Sequence, residues 1–148
     1  MKAVKIIPSI YKGQGMEGDF EWMIQQDKYK STFFIFNDNE SQFKAHLKDP
    51  SDPLGCNVGG GNAVIRPYQC TNPPQAGGIP TGPNFPSLTP EVKQLIDSAI
   101  HLIQQNIDTY NYNAVVFSAN ENGGLGTSIF EVPDDVKTYI VKQIYDLK

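Results

Sequence analysis

An α/β sandwich with a mixed or mostly parallel sheet is the architecture this chain's pattern predicts. Two apolar runs, STFFIFN (31–37) and AVVFSA (114–119), place apolar residues on both faces, as strands covered on both sides do. Between them, residues 89–110 repeat apolar side chains at helical spacing. Strands that alternate with helices in this way build layers around a sheet.

Each element has its own local signal. AVKII (3–7) alternates loosely and stops at Pro8, a first strand. Gly13, Gly15 and Gly18 punctuate the loop that follows, and EWMIQQ reads as a short helical turn. STFFIFN is the second strand, NDNES the turn after it, and residues 43–48 a helical fragment. From 49 to 90 the chain is rich in Gly, Pro and Asn. A structureless loop of that length is unusual in a compact domain, so part of it is expected to be ordered. AVIRPYQ within it starts either a helix or a strand, and Pro67 limits both.

Residues 89–110 form the clearest element. Thr89 suits the N-cap, Pro90 the first helical position, and Glu91 the positive end of the dipole. Val92, Leu95, Ile96, Ala99, Ile100, Ile103 and Ile107 lie on one stripe, which is core packing. AVVFSA then runs into NENGGLGTSIF and on to a last helix, started by Pro133, Asp134 and Asp135 and faced by Val136, Ile140, Ile144 and Leu147.

A chain of 148 residues is expected to fold as one domain, 1–148, with a real core. Its net charge of −4 argues against sequence-independent nucleic-acid binding, which needs a basic field. No polybasic cluster suggests a membrane surface. No segment approaches roughly 18 uninterrupted apolar residues, and the N-terminus lacks a signal-peptide pattern. A cytoplasmic protein is therefore expected. Cys56 and Cys70 are expected as free thiols in a reducing compartment, with a disulfide between them as the alternative. His46, Cys56, Cys70 and His101 match no compact ligand spacing, so no metal site is expected.

In open α/β sheets ligands bind beyond the carboxyl ends of the strands. Two glycine-rich stretches are placed to reach that end: GCNVGGGN (55–62), and NENGGLGTS (120–128) directly after AVVFSA. A backbone without Cβ atoms can turn its N–H groups toward an anion, and a following helix start adds a favourable dipole. An acidic protein could then hold a diphosphate with amides in place of lysines. Neither a Walker P-loop nor a dinucleotide GxGxxG fingerprint is present.

In their order along the chain, four stretches resemble those of a divergent macro domain, the ADP-ribose-binding α/β/α module. They are Gly18-Asp19-Phe20, FFIFNDNE, GGGNAVI, and VVFSANENGGLGTSIF with the helix after it. The resemblance implies a three-layer sandwich and a ligand, ADP-ribose or a related NAD-derived nucleotide, with no cofactor. It implies that Asp19 contacts adenine and that Asn37 and Asn39 lie near the distal ribose. Gly59, Gly60, Gly61 and Asn62 would form the ribose-side loop. Gly123, Gly124, Leu125, Gly126, Thr127 and Ser128 would form the phosphate loop, with Phe130 packed near the ligand. Arg66 is read either as a clamp on an anion or as a structural guanidinium.

Hydrolytic members of that family place an aspartate after one or other glycine loop. Here those positions hold Asn62 and Ala63, or Gly126 and Thr127. An ADP-ribosyl hydrolase would have to draw its base from Asp38 or Glu40. Two further functions remain open at this point: a protein-interaction module on the same scaffold, and a protein for another nucleotide such as a cyclic dinucleotide.

Overall fold

The computed structural model describes residues 3–127 and 131–148. Four strands form its sheet: β1 (Lys5–Ser9), β2 (Thr32–Asp38), β3 (Ala76–Pro80) and β4 (Ala114–Ser118). Their order is β1-β4-β2-β3, and every pairing between them is parallel. The mixed component that the sequence allowed for shrinks to one isolated antiparallel bridge, Ala119 with Leu125.

The alternation of side chains along the central strands divides the core into two. Phe33, Ile35, Val115 and Phe117 face one way and meet α3 (Pro90–Tyr110) and α4 (Asp134–Tyr145). Phe34, Phe36 and Val116 face the other way. They meet Phe20 and Met23 of α1 (Phe20–Met23), and Ala63 and Ile65 of a 3₁₀ helix, Gly61–Gln69. The sandwich thus has helices, sheet and helices in three layers.

Local chemistry sets the boundaries. Thr89 caps α3 by accepting from the Val92 amide at 3.2 Å, and α3 ends where Asn111 turns left-handed at φ 59°. The helix α2 (Glu40–Lys48) begins three residues earlier than the fragment expected from Phe43, because Asn39 caps it by accepting from the Gln42 amide at 2.8 Å. Strand β1 runs through Pro8 to Ser9, which an edge strand tolerates.

Strand β3 is the element the sequence hid. AGGIP has weak strand propensity, yet all five residues are buried. A Cβ on Gly77 would lie 3.0 Å from the Phe33 ring, and one on Gly78 2.7 Å from the Asp38 carboxylate. Bare backbone is what lets β3 close on β2. The ambiguous AVIRPYQ stretch proves to be 3₁₀ helix, which accommodates Pro67. Among the described residues no helix is long and apolar enough to cross a membrane.

The two cysteines correct the free-thiol expectation. Cys56 and Cys70 form a disulfide, with Cα atoms 5.9 Å apart. The alternative that the sequence left open is thus the one the fold adopts.

Candidate functional site

Neighbouring strands β1 and β4 send their following segments to opposite faces of the sheet, β1 to α1 and β4 to α4. A parallel sheet leaves a crevice at such a place. Here it is a cleft of about 710 Å³. Both glycine-rich stretches line it.

One wall is Gly59, Gly60, Gly61, Asn62 and the start of the 3₁₀ helix. Gly60 is the N-cap of that helix, and among the described residues no side chain caps it, so the start of the helix lies on the cleft without a side-chain partner. Gly61 has φ 57°, a left-handed conformation that suits glycine. Asn62 Oδ1 accepts from the Phe20 amide at 3.3 Å and so fastens this wall to α1.

The other wall follows β4. Asn120 Oδ1 accepts from the amides of Asn122 and Gly124, each at 2.9 Å, and the Asn120 amide donates to the Gly124 carbonyl. This turn holds the loop's shape through its own hydrogen bonds. Gly126 passes so near the strand that a Cβ there would sit 2.9 Å from the Ala119 carbonyl oxygen. Asn37, at the end of β2, donates to the Gly126 carbonyl at 2.7 Å and fixes the loop to the sheet.

The expected ligand residues separate into two groups. Asp19, Asn37, Gly59, Gly60, Gly61, Asn62, Leu125, Gly126 and Thr127 line the cleft. Asp19 is also the N-cap of α1: its carboxylate accepts from Glu21 N at 3.2 Å and from Gly15 N at 2.8 Å. Gly123, Gly124 and Asn39 stand outside the lining. The two glycines shape the turn behind it, and Asn39 is occupied as the α2 cap. Ser128 and Phe130 lie outside the described residues.

Arg66 and the two expected acids, Asp38 and Glu40, do not line the cleft. Arg66 and Asp38 are each 2 % exposed. The guanidinium donates to Asp38 Oδ1 through Nε at 3.1 Å and Nη2 at 2.8 Å, and through Nη1 to the Asn57 carbonyl at 3.0 Å. It also lies 5.6 Å from the centre of the Phe36 ring. Burial raises the Asp38 carboxyl above its ordinary range, against the downward pull of Arg66. Asp38 therefore joins the strand end to the glycine wall, with no water-facing oxygen to act as a base. Glu40 pairs with Lys44 along α2 at 2.6 Å and does not line the cleft.

Other lining residues escaped the sequence reading. Thr81 and Ser118 come from the ends of β3 and β4, Tyr11 and Gln14 from the loop after β1, and Lys137 from α4. Asn120 had a readable signal, since asparagine before Gly-rich sequence favours this turn. Tyr11 and Lys137 had none, because only the crossing of the chain brings them to the cleft. Among the described residues no three His, Cys, Asp or Glu side chains converge as a metal group would require.

Comparisons with family models, with curated proteins and with solved structures returned no match for this chain.

Proposed function

We propose that the cleft binds ADP-ribose or a related NAD-derived nucleotide, and that the chain is a divergent macro domain working by recognition. One observation carries this: two separate glycine-bearing walls, Gly59–Asn62 and Leu125–Thr127, line a single cleft at the carboxyl ends of parallel strands. Gly59 and Gly126 donate their own amides to the Ala63 and Ser118 carbonyls, so neighbouring main-chain amides of these walls would meet a diphosphate, and the volume suits a small nucleotide. Binding is favoured over ADP-ribosyl hydrolysis because Asp38 is buried in an ion pair and Glu40 stands off the cleft. The disulfide removes one ground for a cytoplasmic location, since such bridges persist in oxidising compartments.

Isothermal titration with ADP-ribose, AMP and NAD tests the proposal. ADP-ribose is expected to bind more tightly than AMP, because AMP lacks the second phosphate and the distal ribose. Absence of heat from all three at millimolar concentration removes the NAD-derived nucleotide function and leaves a protein-interaction scaffold or a different nucleotide such as a cyclic dinucleotide.

A further inference from the structure

The cleft is electrostatically lopsided. Asp19, Glu21 and Glu121 line it, and against these three carboxylates stands Lys137, the one cationic side chain in the lining among the described residues. Amide dipoles alone would have to draw an anion past that acidic rim, on a protein whose net charge is −4.

Lys137 is held for such a task. It sits in the first turns of α4, and its side chain is only 29 % exposed. Its ion-pair partner Asp134 is 99 % exposed and 3.4 Å away, one turn back on the same helix. A pair with so wet a partner is weak and easily exchanged for a better anion. The ammonium is thus positioned by the helix and loosely satisfied by it, on the same cleft as Gly126 and Thr127.

We propose that Lys137 is the specificity-determining cation of this cleft: it supplies the full charge that meets the ligand's diphosphate, while the carboxylates at the rim disfavour ligands carrying further phosphates. This rests on the nucleotide-binding function proposed above. Charge-assisted hydrogen bonds are about twice as strong as neutral ones, so one ammonium can decide affinity where amides supply the shape.

The test is titration of ADP-ribose into wild type, Lys137→Gln and Lys137→Arg at low and high salt. Lys137→Gln is expected to bind about tenfold or more weakly and to lose much of its salt dependence, since the screened charge is gone. Lys137→Arg is expected to keep both. Matching circular dichroism and melting temperature confirm that the variants are folded. If wild type binds and Lys137→Gln binds equally well, or with the same salt dependence, the assignment of Lys137 is overturned while nucleotide binding stands. If wild type itself gives no heat, nucleotide binding fails and the assignment of Lys137 falls with it.

Discussion

Arg66 accounts for the first glycine of the triplet. A Cβ on Gly59 would lie 2.5 Å from Arg66 Nη1, so the guanidinium reaches Asp38 only across a bare backbone. The glycine loop is thus built around a buried ion pair. Asp38 Oδ2 is itself buried and has no hydrogen-bond partner among the described residues, so the pair is not fully satisfied by them. Removing one member leaves a buried charge: Asp38→Ala is expected to cost about 3–5 kcal/mol in urea unfolding. The double variant Asp38→Ala, Arg66→Met should recover a good part of that loss. A single variant as stable as wild type would show that Arg66 finds water instead. That Arg66 is structural was not legible in the sequence, where a lone arginine beside glycines suits either role. Its partner lies 28 residues away and meets it only through the fold.

At the scale of elements, the segment between α2 and β3 holds only two 3₁₀ helices and turns among its named elements, and it makes one wall of the cleft. The Cys56–Cys70 bridge joins residues 14 apart in sequence and encloses the whole of that wall. Cross-linking a loop near this size removes unfolded-chain entropy worth about 3 kcal/mol. Reduction, or the paired change Cys56→Ser and Cys70→Ser, is therefore expected to lower the urea midpoint by a corresponding amount. An unchanged midpoint after complete reduction would mean that Arg66 and the 3₁₀ helix hold the wall unaided. The regular elements were readable from caps and periodicity: Thr89 and Pro90 announced α3, and Val136, Ile140 and Ile144 announced α4. Strand β3 was not, because its propensity is overridden by pairing with β2 and by contacts that only Gly77 and Gly78 permit.

At the scale of the whole molecule, β2 and β4 serve both cores at once, with Phe33 and Val115 on one face and Phe34 and Val116 on the other. Neither helical layer can leave without exposing strands that the other layer needs, so one cooperative transition is expected. Trp22, the only tryptophan, packs against the α1-side core, whereas far-ultraviolet dichroism is dominated by α3 and α4. The two signals should give coincident urea midpoints, and separate midpoints would show that the layers unfold independently. The sequence by itself determined the layered α/β plan, its long helices and the glycine stretches at the strand ends, because periodicity, capping and turn chemistry are local. Only the tertiary structure decided that the two glycine walls share a cleft, that Arg66 lies beneath one of them and that Lys137 faces it. Those relations join residues far apart in the chain, and they exist only once four parallel strands have set their order.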